Sequence, residues 1–133
     1  MITLHILQLL ANDNFGVIDT SLFWNKLPLK KYGIAIFDRG APVARGTRLT
    51  QSFDLYSRGK SDLLGADKLE KILEYMQDNY VVCDLPIVPE KSVKQYKNCQ
   101  IVATSNVENL GLDENDRLVF RLSGQISYQR QRS

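Results

Sequence analysis

Leu118-Val119-Phe120-Arg121-Leu122-Ser123-Gly124-Gln125-Ile126-Ser127-Tyr128 alternates along its length. Leu118, Phe120, Leu122, Ile126 and Tyr128 share one face of an extended chain. Val119, Arg121, Ser123, Gln125, Ser127 and Gln129 share the other, which is mostly polar. A period of two with one apolar face predicts a strand in an antiparallel sheet covered by helices on one side. Asp113-Glu114-Asn115-Asp116, just upstream, marks a turn, and the run from Gln100 to Val107 can pair as a further strand.

Working toward the N-terminus, residues 62–79 carry the clearest helical pattern. Ala66, Leu69, Leu73, Met76 and Tyr80 fall three or four apart, while Lys68, Glu70, Lys71, Glu74 and Asp78 occupy the rest of the surface. Ser61 suits the N-cap, and Asp62 suits the positive N-terminal end. Residues 81–98 hold Pro86 and Pro89 and read as a connection with one short strand at 80–83. Ahead of the helix, Leu49 to Ser57 alternates with Leu49, Phe53 and Leu55 on one side. Tyr32-Gly33-Ile34-Ala35-Ile36-Phe37 is a short continuous apolar run, as for a strand covered on both faces. Between these strands, residues 38–48 contain Gly40, Gly46 and Pro42, and they predict a hairpin with an irregular tip far longer than the usual two to five residues. Residues 17–31 read as an irregular connection, and residues 2–11 as an amphipathic helix ended by Asn12-Asp13-Asn14 and Gly16. The expected architecture is α+β: a mixed, mainly antiparallel sheet of about four strands against one main helix plus the N-terminal helix.

The chain has 133 residues, 44% of them hydrophobic and 24% charged, which fits one globular domain spanning 1–133 with a short C-terminal tail at 129–133. Net charge is +2, too small to argue for nucleic-acid binding on its own. The apolar N-terminus lacks a basic leader and is interrupted by His5 and Gln8, so it reads as a core helix and not as a signal peptide or a membrane span.

Chemistry-bearing patterns are sparse. Gly59-Lys60-Ser61 lies between a strand and a helix, as a phosphate-binding loop would, but the position that needs the first glycine is Asp54. Asp113-Glu114-Asn115-Asp116 fails as a calcium loop, because Leu118 and Gly124 stand where glycine and glutamate are required. One histidine, His5, and two cysteines separated by fifteen intervening residues, Cys83 and Cys99, make neither a zinc set nor a catalytic triad. The cysteines read as two half-buried thiols. The expectation is therefore no catalytic site, no metal and no cofactor.

The 38–48 tip carries more information. Arg39, Arg45 and Arg48 lie within ten residues beside Gly40 and Gly46, and Arg58 and Lys60 follow the second strand. Arg130 and Arg132 end the chain. Such a tip either remains a solvated loop or orders on meeting a neighbouring subunit or a nucleic acid, since arginine suits both interfaces and phosphates.

The sequence of an N-terminal helix, the Tyr32–Phe37 run, a long hairpin tip, Gln51-Ser52-Phe53-Asp54-Leu55-Tyr56-Ser57-Arg58 leading into Asp62–Ile72, and the alternating run to Tyr128 resembles tail terminator proteins of long-tailed bacteriophages. These are also known as minor tail or minor capsid proteins. The resemblance covers roughly residues 2–128. It implies a small α/β subunit of a homo-hexameric ring that caps the tail tube, stops its polymerisation and offers a surface for head attachment. The implied partners are further copies of itself, the major tail tube protein and a head-completion or connector protein. Genomic DNA would pass through the lumen without sequence-specific binding, and no membrane is involved. The implied location is the virion, at the head–tail junction, after assembly in the host cytoplasm. Arg39, Gly40, Arg45, Gly46 and Arg48 then become expected interface or lumen residues, with Arg58, Lys60, Arg130 and Arg132 as secondary contacts. Two alternatives are another connector or tail-tube subunit and a nucleic-acid-binding module.

Overall fold

A computed structural model describes residues 2–28, 32–59 and 64–129. The chain runs α1 (Ile2–Asn12), β1 (Leu22–Trp24), β2 (Gly33–Arg45), β3 (Arg48–Arg58), α2 (Leu64–Asn79), β4 (Cys83–Leu85), β5 (Tyr96–Ala103), β6 (Glu108–Leu112) and β7 (Leu118–Gln129). The strands form one sheet in the order β1-β2-β3-β7-β5-β4, with β6 pairing the remaining stretch of β7. All pairings are antiparallel except β1 on β2.

The centre is the β3–β7 ladder, unbroken from Arg48↔Gln129 to Arg58↔Val119. Its inner face carries Phe53 and Leu55 from β3 and Phe120, Leu122 and Ile126 from β7, all buried. Ile34 and Ile36 of β2 and Ile101 of β5 extend that face, and both helices complete one core cluster with it. Each such side chain contributes roughly 1.5–3 kcal/mol on leaving water. Gly124 sits opposite Phe53 in the ladder, and a Cβ there would stand 2.9 Å from the Phe53 ring and 3.0 Å from the Val102 carbonyl. The missing side chain lets the ring lie across the sheet.

The outer face is closed by polar pairs across neighbouring strands, the arrangement that stabilises a solvated sheet surface. The Ser123 hydroxyl donates to Asp54 Oδ1 at 2.6 Å, Arg121 meets Glu108 at 3.1 Å, and the Phe37 and Tyr56 rings pack edge to face.

This architecture corrects the expected one. The sheet has seven strands curled into a half-barrel, not about four strands laid against one main helix. Nor is α2 the dominant helix. It buries Gly65, Leu69, Ile72 and Met76, whereas α1 buries Ile2, Thr3, Leu4, His5, Ile6, Leu7 and Leu10. A helix apolar on nearly every side belongs inside the fold, and α1 lies between the sheet and the segment around residues 85–92. The strand β1, inside a stretch expected to be irregular, exists because the edge of β2 is there to pair with it. The strand β6 carries Gly111 at φ +90° and has no alternation to read; β7 templates it. Near the connection after α2, the strands form at 83–85 and 96–103 and not at 80–83 and 100–107. The start of the 62–79 helix lies outside the described residues. Among the described residues, no helix is long and apolar enough to cross a membrane.

Side-chain hydrogen bonds fix α1 in place. Thr3 Oγ1 donates to Asp38 at 2.6 Å and accepts from Trp24 Nε1 at 2.9 Å, which ties α1 to β1 and β2. The Tyr80 hydroxyl at the end of α2 donates to Asp13 at 2.5 Å. His5 is fully buried between Pro86 O at 2.8 Å and the Ser92 hydroxyl at 3.0 Å. A neutral ring satisfies both, with Nδ1–H donating to the carbonyl and Nε2 accepting from the hydroxyl. Burial pushes the His5 pKa below its ordinary value, against the pull of the Pro86 carbonyl.

Two outcomes follow for His5. His5→Ala should cost about 2–4 kcal/mol in urea unfolding, by leaving a cavity and two unsatisfied polar groups. Because the folded pKa lies below the unfolded value near 6.5, the unfolded chain binds the proton more readily. The contribution of His5 should be whole above about pH 6.5 and decline as pH falls below it, by at most about 1.4 kcal/mol per pH unit. The difference between wild type and His5→Ala, measured from pH 7.5 to 5, should shrink accordingly.

Candidate functional site

The region expected to be an irregular 38–48 tip is a regular β-ribbon. β2 continues to Arg45, β3 begins at Arg48, and only Gly46 and Thr47 make the turn. Gly46 has φ +64° at the first central position, where a two-residue hairpin turn of the II′ kind places glycine. Composition misled here because glycine and proline are poor in strand interiors, yet both are accommodated in a bulge. Pairing jumps from Arg39↔Ser52 to Val43↔Thr50, so Gly40, Ala41 and Pro42 oppose Gln51 alone. Gly40 takes φ +75°, and Pro42 sits in the bulge, where its lack of an N–H breaks no rung.

Gln51 holds the bulge in shape, and it is the residue that sequence reasoning missed. Its side chain is 4% exposed, and its amide nitrogen donates to Gly40 O at 3.0 Å and to Ser52 O at 2.8 Å. The available signal was a polar residue at an inward position, between Leu49 and Phe53.

The arm leaves backbone unpaired. β1 covers β2 only from Ile34 to Ile36, and the Asn25 side chain accepts from the Asp38 N–H at 3.1 Å. Beyond Asp38 the outer edge of β2 has no neighbouring strand among the described residues, and residues 38–47 are exposed.

The five residues singled out from the sequence divide by role. Gly40 and Gly46 shape the ribbon. Arg39 is half exposed, with Nε 3.8 Å from Asp54 Oδ1. Arg45 is exposed and has no ion-pair partner among the described residues. Arg48 is committed within the subunit: Nε donates to Ser127 Oγ at 3.0 Å, and Nη2 donates to Ser127 O at 3.0 Å and Asn98 O at 3.2 Å. It fastens the tip of the arm, where β3 begins, to β7 and β5. Arg45 and Arg48 are register partners at the tip, but the Arg48 guanidinium is turned across β7 toward Ser127 and Asn98, which leaves Arg45 as the outward-facing charge there.

Of the secondary set, Arg58 is also an internal brace. It donates to Pro28 O at 2.8 Å and lies 3.2 Å from Asp113, which Arg117 meets at 3.1 Å. Burial and the neighbouring Arg117 charge lower the Arg58 pKa, while Asp113 raises it. Backbone N–H donation from Arg117 leads the effects that hold Asp113 below the usual carboxylate value. Lys60, Arg130 and Arg132 lie outside the described residues.

The remaining chemical candidates are structural. Cys83 and Cys99 are free thiols and register partners across β4 and β5. Burial pushes them up to about 11 and about 12, so both are protonated at neutral pH and poor nucleophiles. Among the described residues, no cluster of three or more His, Cys, Asp or Glu is placed to hold a metal ion.

The two tip arginines should separate experimentally. Arg48→Ala should cost about 1–2 kcal/mol and speed amide exchange at the tip of the arm, where β3 meets β7. Arg45→Ala should leave monomer stability within about 0.5 kcal/mol of wild type. Compared with known proteins, the chain matches no family model and no curated sequence.

Proposed function

We propose that this chain is a self-associating structural subunit, the ring-forming tail terminator of a long-tailed bacteriophage. In this reading it caps the tail tube, stops its polymerisation and presents a surface to the head-completion protein, with DNA passing through the lumen. The observation that carries the self-association is the arm. The outer strand of the β2–β3 hairpin, whose inner strand β3 is paired with β7 along its whole length, has an open backbone edge beyond Asp38, exposed Val43, and Arg45 with no ion-pair partner among the described residues. Edges of this kind pair with other chains unless they are guarded. The bulge at Gly40–Pro42 and the arginines restrict such pairing to a partner of matching shape and charge. The tail-specific part of the reading rests on the resemblance in element order.

The arm fits a nucleic-acid module less well. Arg48 and Arg58 spend their donors inside the subunit, leaving Arg39 and Arg45 as the exposed arginines of the arm. Two cations make a weak phosphate track. An enzymatic role has no support in the site either, since His5 is enclosed by two hydrogen bonds in the core.

Sedimentation velocity over a wide concentration range should show a reversible monomer–ring equilibrium, and added protein should bind purified tail tubes and fix their length. A strict monomer that neither joins tubes nor limits them would overturn the reading. Electron micrographs of long stacked tubes made by this protein alone would point instead to a tube subunit.

A further inference from the structure

Resting on the self-association reading, we infer that the acceptor for the arm is the β6 edge of a second copy, with the 113–116 turn beside it. The two surfaces are complementary in chemistry. The arm offers Arg39 and Arg45 around exposed Val43. The β6 edge offers Leu110 and Leu112, 44% and 57% exposed, next to Glu114 and Asp116 at the turn. Glu114 and Asp116 have no ion-pair partners among the described residues, whereas the neighbouring Asp113 is already held by Arg58 and Arg117. Among the described residues the β6 strand pairs only with β7, so its other edge presents backbone groups without a strand partner, as does β2 beyond Asp38.

The placement of these surfaces sets the geometry of association. In the strand order, β2 lies on the β1 side of the sheet and β6 lies beyond β7 on the opposite side. Along the strands they are also at opposite ends. The arm tip adjoins Gln129 at the end of β7, and the acidic turn adjoins Leu118 at its start. Twelve extended residues separate them by roughly 40 Å. A surface that is basic at one end and acidic at the far end of the opposite edge cannot pair with itself. It joins head to tail, and head-to-tail contacts generate rings when the rotation closes. The Glu114 and Asp116 carboxylates of the next copy would also give Arg45 the anionic partner that no acid of the same subunit supplies among the described residues.

Charge exchange tests this contact. Arg45→Glu alone, and Glu114→Arg with Asp116→Arg, should each weaken self-association roughly tenfold or more in sedimentation at low salt, through like-charge repulsion. An equimolar mixture of the two proteins should assemble again, because each mutant surface then meets its complement. Circular dichroism melts should match wild type for Arg45→Glu and fall only slightly for the turn variant, since none of the three side chains makes an ion pair within the subunit and arginine tolerates the φ +57° of Asp116 a little less well than aspartate. If wild type assembles but these substitutions change nothing, or the mixture fails to recover, the β6 acceptor is wrong while ring formation stands. If wild type stays monomeric at every concentration and salt, the self-association reading fails and takes this contact with it.

Discussion

The β3–β7 ladder is the constraint from which the other elements take their positions. It pairs Arg48 with Gln129 at one end and Arg58 with Val119 at the other without interruption. Because both strands alternate in phase, one register choice places Phe53, Leu55, Phe120, Leu122 and Ile126 on the inner side together. A slip by one residue would turn all of them outward, so burial fixes the register strongly. The strand β2 pairs on one side of this ladder, β5 and β6 share the other, and the helices cover the inner face.

The arm is a consequence of the same ladder. β3 extends as far as β7 supports it, and β2 follows β3 out past the point where β1 and Asn25 cover its edge. The hairpin therefore has a firm inner strand, held by β7 and tied at its tip by Arg48 to Ser127 and Asn98, and an open outer edge along β2. A disordered loop would have to lose chain entropy on binding, whereas a preformed ribbon loses less. Under the proposed self-association the arm is shaped before it meets a neighbour, with Gln51 and Gly40 setting the bulge.

The polar groups inside the fold have structural duties. His5, Thr3, Trp24 and Asp38 stitch α1 to the sheet edge and to the 86–92 segment, and Tyr80 closes the gap between the two helix ends. Asp113 gathers Arg58 and Arg117 at the acidic end of the sheet and leaves Glu114 and Asp116 outside the pair network. Arg45 at the hairpin tip and Glu114 and Asp116 at the turn thus remain without ion-pair partners among the described residues, at opposite ends of β7.

By itself, the sequence determined what local periodicity can encode. The alternation of Leu118–Tyr128 specified β7, the 3.6-residue stripe of Leu69, Ile72, Leu73 and Met76 specified α2, and Asn12-Asp13-Asn14 ended α1. The candidate arginines were visible for the same reason, as charges clustered beside glycines. Tertiary structure alone decided what neighbours impose. Leu22–Trp24 and Glu108–Leu112 are strands only because β2 and β7 offer backbone groups to pair with. Residues 39–45 are strand because β3 holds them and a bulge absorbs Gly40 to Pro42. Which arginines are spent and which remain free was equally hidden, since Ser127, Asn98 and Asp113 reach Arg48 and Arg58 from distant parts of the chain. Contacts of that kind leave no local pattern, because their energy comes from residues brought together only when the sheet closes.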